Sequence, residues 1–182
     1  MERMRIRYRT NARKALEVIL WCAAQRRGPV DFHTVLKVLF GADVVHVNRY
    51  GRPIVGDTYA ALQYGPVPQM TYDLLKGEPL ALEQIGMDEL PFRRQGYVVT
   101  AHRAPDLSVF SPSELEALAE SWDRYGRLSF GERTARSHDH PAWKNAWEAG
   151  KTWMDYADFL EGPNRTPEKI EDLAEVASTI RL

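Results

Sequence analysis

The chain has 182 residues, 44% of them hydrophobic, and a formal net charge of −1, which suits one compact core that needs no covalent staples. Cys22 is the single cysteine, so no intrachain disulfide can form, and a reducing compartment, the cytoplasm, is the expected home. No apolar run reaches the length of a membrane span, and the arginine-rich opening of residues 1–10 lacks the apolar core and cleavage site of a secretory signal.

Met4, Ile6 and Tyr8 alternate with Arg5, Arg7 and Arg9, a period of two that fits an edge strand or a loose basic arm over residues 1–10. From Asn11 the period lengthens. Leu16, Ile19, Leu20 and Ala23 form a helical stripe that ends near Arg27-Gly28-Pro29, with Cys22 beside it as a small buried hydrophobe. Asp31 is placed to cap a second helix, whose Phe32, Val35, Leu36, Leu39, Phe40, Val44 and Val45 make it central, running to Tyr50-Gly51. A turn-rich link follows at Arg52–Asp57. Thr58–Tyr64 reads as strand or helix, and Gly65-Pro66-Val67-Pro68 should break either, because proline removes a donor and restricts its neighbours.

Gln69–Lys76 predicts a short helix stopped by Gly77, and residues 78–91 an irregular surface excursion. Gly96–Ala101 is the best strand, with Leu107–Phe110 as its expected hairpin partner. Ser111 with Glu114, and Ser129 with Glu132, have the spacing of capping boxes. Further helices should start at His140-Pro141 and Thr166-Pro167. The fold class is therefore mainly α, of α+β type: a compact helical domain with a small β-hairpin or sheet, plus C-terminal helices.

Signatures of catalysis are missing from the sequence. It holds no glycine-rich phosphate loop, nucleophile elbow or paired cysteine ligands, and Cys22 has no base beside it to activate it. The chain is read as a non-enzyme with no cofactor. His138 and His140 are the weak metal candidates, weighed against a helix-capping role before Pro141.

Residues 31–76, with the apolar helix Val35–His46, then Tyr50-Gly51-Arg52-Pro53-Ile54, Gly56-Asp57, Tyr59, Tyr64-Gly65-Pro66-Val67 and the helix at Tyr72–Leu75, resemble the SocA-like antitoxins, or Panacea domain. The similarity continues through Leu115, Tyr125, Ser137-His138 and Pro141-x-Trp143, covering about residues 11–145. A KLLYF-like run of the family stands here as Lys37-Val38-Leu39-Phe40-Gly41, phenylalanine replacing tyrosine. The resemblance implies a bacterial or phage antitoxin domain that neutralises a cognate toxin protein by direct contact. One type in the family acts instead as an adaptor, delivering its toxin to an ATP-dependent protease. It carries over no catalytic residue. Tyr50, Gly51, Pro53, Gly56, Asp57, Tyr64, Gly65, Pro66 and Val67 are taken as structural, and residues 146–182 as a helical extension packed on the same domain.

Partner contacts are expected outside that motif, from Arg5, Arg7 and Arg9 and from the aromatic residues Trp147, Trp153 and Tyr156, because aromatic and arginine side chains dominate interface energies. Residues 1–52 hold 11 Lys+Arg against 4 Asp+Glu, and the remainder 13 against 21. This asymmetry opens a nucleic-acid alternative through the basic first third, for which binding should weaken steeply with salt. No membrane partner is expected.

Overall fold

The computed structural model describes residues 4–182; the part of the basic arm at positions 1–3 lies outside them. Among the described residues there are eight α-helices, α1 (Ala12–Arg26), α2 (Phe32–Tyr50), α3 (Gln69–Lys76), α4 (Pro79–Ile85), α5 (Pro112–Ser121), α6 (Phe130–His138), α7 (Pro141–Glu148) and α8 (Pro167–Thr179). They are accompanied by β1 (Val30–Asp31), β2 (Tyr59–Leu62), β3 (Gly65–Pro68), β4 (Phe92–Gln95) and β5 (Val98–Ala101). The fold is mainly helical with small antiparallel sheets, β1-β5-β4 and β2-β3.

α2 is the axis. Its Asp31 cap accepts from the Thr34 amide at 2.8 Å, it stops at left-handed Gly51, and 15 of its 19 residues are buried. One side, with Val35, Leu39 and Ala42, packs into a cluster with α1, α3 and α5. The other, with Phe40, Val44 and Val47, packs against β2, α7 and the 154–160 segment. Gly41 lets α5 come close: a Cβ there would meet Ser121 Oγ at 2.4 Å and the Tyr125 ring at 2.6 Å.

Three buried ionisable side chains of α2 fasten three different segments. Lys37 Nζ donates to the Pro66 carbonyl at 3.0 Å. Asp43 accepts from the Ile54 amide at 2.7 Å and the Tyr59 hydroxyl at 2.8 Å. His46 donates from Nδ1 to the Arg52 carbonyl at 2.8 Å, leaving Nε2 to accept from Ser113 at 3.0 Å. The motif residues therefore have structural positions. Tyr50 lies tilted against His46, Pro53 is buried, and Gly56 lies against Tyr8. Asp57 accepts from the Met70 and Thr71 amides and the Thr71 hydroxyl, capping α3 from a distance in sequence.

Several expectations are corrected. The run Gly65–Pro68 does not break the structure but forms β3, pairing Ala61 with Pro66 and Tyr59 with Pro68. The Ala61 amide and Tyr59 carbonyl are spent on Thr152 and Met154, on the side away from β3, so the prolines occupy positions where no ladder donor is needed. Residues 79–85 are helical, with Ala81 buried. β5 pairs with β4 and β1, whereas Leu107–Val109 is a single 3₁₀ turn capped by Asp106. The opening at residues 4–10 is neither strand nor loose arm: Ile6 and Tyr8 are buried, and the Ile6 amide donates to Asp155 at 3.1 Å. The 149–166 stretch carries short 3₁₀ turns at Tyr156–Phe159 and Gly162–Asn164, and its 152–156 part bonds to β2 and to Ile6 before α8 begins.

Burial pushes the Asp43 carboxyl up to about 7, against the pull of its hydrogen-bond donors. An acid whose pKa is raised on folding contributes stability fully present below its unfolded value, near 4, and lost as pH rises through about 7. Asp43→Asn, which keeps one acceptor and stays neutral, should flatten the fall in denaturant midpoint between these pH values. Asp57→Ala strands two helix amides and should cost about 3 kcal/mol, read as a shifted urea midpoint.

Candidate functional site: an aromatic groove

Large apolar side chains left in water are informative when they cluster. Leu62, Tyr64, Tyr97, Phe130, Trp147 and Trp153 are each between 41% and 68% exposed, and all but Trp153, which follows Thr152 at the edge of the second, line two neighbouring grooves. The larger, about 700 Å³, runs between the start of α2, the β2-β3 turn, α3, the β4-β5 turn and the start of α6, with Phe32, Leu36, Val67 and Tyr72 along its walls. The smaller, about 290 Å³, lies beside Ala61, Leu62 and Trp147. Leu62 borders both.

Each rim aromatic is held by its neighbours. Tyr64 and Phe130 meet edge-on at 5.2 Å, and Phe130 lies on the His33 ring at 4.1 Å. Phe32 carries both Tyr72 and Tyr97 edge-on. The Arg94 guanidinium lies 5.5 Å from the centre of the Phe32 ring. Rings fixed in this way lose little entropy on binding, which is what an interface anchor needs.

The polar groups of the groove form one network. Arg133 donates from Nε to His33 Nδ1 at 3.1 Å and pairs with Asp31 at 3.1 Å. Burial, then the positive Lys37, lower the His33 pKa to about 4, so the ring is neutral and its Nε2 faces the Tyr64 carbonyl at 3.3 Å. Lys37 is fully buried beneath the hairpin, and burial, with Arg133 nearby, lowers its amine to about 7. Gly65 makes that clamp fit. Its φ is +100°, and a Cβ would meet Ser137 Oγ at 2.4 Å and Lys37 Cε at 2.8 Å.

The sequence-selected contact residues are divided by the structure. Trp147 and Trp153 are exposed. Trp147 ends a stack with Trp143 and His138, at 5.1 and 3.7 Å between rings, while Arg5 lies over Trp153 at 5.8 Å. Arg7 and Arg9 are exposed. Tyr156 is not a surface anchor. It is 4% exposed and its hydroxyl donates to the Asp57 carbonyl at 2.7 Å, because the chain around it is threaded through the core. Of the candidate metal ligands, His140 Nδ1 caps α7 by accepting from the Ala142 amide at 3.1 Å and its Nε2 lies 3.1 Å from a Glu161 carboxylate oxygen, while His138 lies flat on Trp143 with its Nε2 buried and unbonded. Among the described residues no group of three or more His, Cys, Asp or Glu is arranged to hold a metal ion.

Part of the charge asymmetry is compensated within the fold. Arg13 pairs with Asp106, Lys14 and Arg52 share the buried Glu114, and Arg49 pairs with Glu120. These bases of the first third meet acids of the remainder. The groove itself was not anticipated from sequence. Its signals are an aromatic next to a turn glycine (Tyr97 after Gly96, Tyr64 before Gly65) and Phe130 at the first position of α6, off any buried stripe.

A family model described as antitoxin SocA-like, Panacea domain, matches residues 35–144, more than half of the chain, which therefore belongs to that family. The match runs from Val35 within α2 to Lys144 within α7 and so includes most of the residues that line the larger groove, with Asp31, Phe32 and His33 just before it. No curated protein and no solved structure matches the chain. Among the described residues no helix is long and apolar enough to cross a membrane.

Gly65→Ala should destabilise the protein by about 2 kcal/mol or more, since it forces an L residue into a left-handed geometry against a buried lysine; a lowered thermal midpoint is the check.

Proposed function

We propose that this protein neutralises a cognate toxin protein by binding it directly, and that the aromatic groove is the contact face. Membership of the antitoxin-like family supports the role in general. The observation that carries the surface is the concentration of exposed, mutually braced aromatic residues on one side of the molecule, the composition of binding hot spots. The protein acts without catalysis, by occupying its partner. Trp147, Trp153 and Arg5 extend the contact along the smaller groove.

The pairing of Arg13, Lys14, Arg49 and Arg52 with acidic residues favours this reading over nucleic-acid binding, because those charges are not free to replace counterions on phosphates. Delivery of the bound toxin to an ATP-dependent protease would use the same first contact. It differs in its outcome, since neutralisation would then fail in cells lacking that protease.

Co-expression with the product of the neighbouring gene, scored by growth, tests the proposal. Tyr97→Ser together with Phe130→Ser should lose protection and weaken binding by about 2 kcal/mol, roughly thirtyfold, while the protein stays folded with a stability loss of no more than about 2 kcal/mol. Replacing Arg7 and Arg9 by Gln should leave protection intact. Full protection by the doubly substituted groove would move the contact elsewhere.

A further inference from the structure

Apart from its tyrosines, the larger groove has three ionisable side chains on its lining, Asp31, His33 and Lys37, and the fold itself satisfies each of them. Asp31 takes the Arg133 guanidinium at 3.1 Å and the Thr34 amide and hydroxyl at 2.8 and 2.6 Å. His33 accepts from Arg133 Nε on its Nδ1, which keeps the ring neutral, and its Nε2 faces the Tyr64 carbonyl. Lys37 is fully buried and donates to the Pro66 carbonyl at 3.0 Å, and burial lowers its amine to about 7. Close by, Lys76 lies over the Tyr72 ring and is answered by Asp73 at 3.2 Å and Glu78 at 3.1 Å. Arg94 is outside the lining and is turned onto the carbonyls of Gly96 and Lys76, at 2.8 and 2.9 Å. What the groove offers is apolar wall, from Phe32, Leu36, Leu62, Val67 and Phe130. With it go the hydroxyls of the exposed Tyr64 and Tyr97, which make no hydrogen bond among the described residues.

We infer that the partner segment received by this groove is uncharged: an apolar stretch with no Asp, Glu, Lys or Arg at the positions that enter, its own main-chain or hydroxyl groups meeting the phenols of Tyr64 and Tyr97. This inference rests on the reading of the groove as the contact face and adds the chemistry of its occupant. Electrostatic complementarity works here by exclusion. An acid or a base carried into the groove would give up its water and find every opposite charge already paired, which is costly for either sign. Apolar side chains leave water with a gain, and the braced rings that receive them have little freedom left to lose. Specificity then comes from rejecting charged segments as much as from attracting apolar ones.

Panning a phage-displayed library of random dodecamer peptides against the full chain tests this without the natural partner. Binders that require Tyr97 and Phe130 should hold Asp, Glu, Lys and Arg about half as often as the naive library, or less. In synthetic copies, at the positions where alanine costs most, Glu should bind about tenfold more weakly than Gln, and Lys about tenfold more weakly than Met. Affinity should change by less than about twofold between about 50 mM and about 500 mM NaCl, since no ion pair is there to be screened. Enrichment of either sign of charge, equal or tighter binding with Glu or with Lys, a several-fold loss of affinity in salt, or the absence of any groove-dependent binder would each overturn the inference. The two layers separate cleanly. If the Tyr97 and Phe130 substitutions abolish protection in cells while the selected peptides are rich in charge, the contact face stands and its uncharged complement falls. If protection survives those substitutions, the contact face itself falls.

Discussion

The whole architecture depends on one constraint: a helix buried on nearly every side must still connect to the irregular chain around it. α2 does this with charged and polar side chains that would be costly if left without partners. Lys37 holds the β2-β3 hairpin, Asp43 holds the link after the helix through Ile54 and Tyr59, and His46 holds Arg52 and the start of α5 through Ser113. Apolar packing supplies the adhesion on both faces of the helix, but it is directionless. These three contacts set which loop goes where.

The groove is a consequence of that arrangement. Because Lys37 reaches up to Pro66, the hairpin is pulled over the N-terminal half of α2, and its turn residues Leu62 and Tyr64 project past the edge of the core. Phe130, at the start of α6, and Tyr97, between β4 and β5, close the other sides. The hairpin cannot easily recruit another strand along β3, since Pro66 and Pro68 have no amide to offer. Recognition therefore falls to side chains, which agrees with the braced aromatic rim. One set of buried contacts thus shapes both the scaffold and the surface it displays.

Local signals in the sequence read correctly wherever local chemistry decides the outcome. The Ser111–Glu114 and Ser129–Glu132 capping boxes both form, Asp31 caps α2 and Thr166-Pro167 opens α8, and the glycines after α2 and α3 end them in the left-handed region. What escaped was decided by distant partners. β3 exists because the neighbouring 152–154 segment takes the outward bonds of β2, so prolines are harmless there. Leu107–Phe110 is not a strand because β5 is already paired on both edges. Tyr156 looked like an interface aromatic, yet it is drawn inward by Asp57 and by ring contacts with Tyr8 and Phe159. The groove was invisible for the same reason: its residues come from five separated elements, and only the fold assembles them.

Hydrogen–deuterium exchange of this protein, free and in complex with the product of its neighbouring gene, bears most directly on the claim that the groove is a preformed docking face. The account predicts new protection confined to the stretches around Phe32–Leu36, Leu62–Val67, Gly96–Val98, Phe130–Thr134 and Trp147–Trp153, with no change in the pattern of the buried middle of α2. Protection concentrated instead on the far side of the molecule, around α8 and the 103–110 loop, with the groove unaltered, would contradict it.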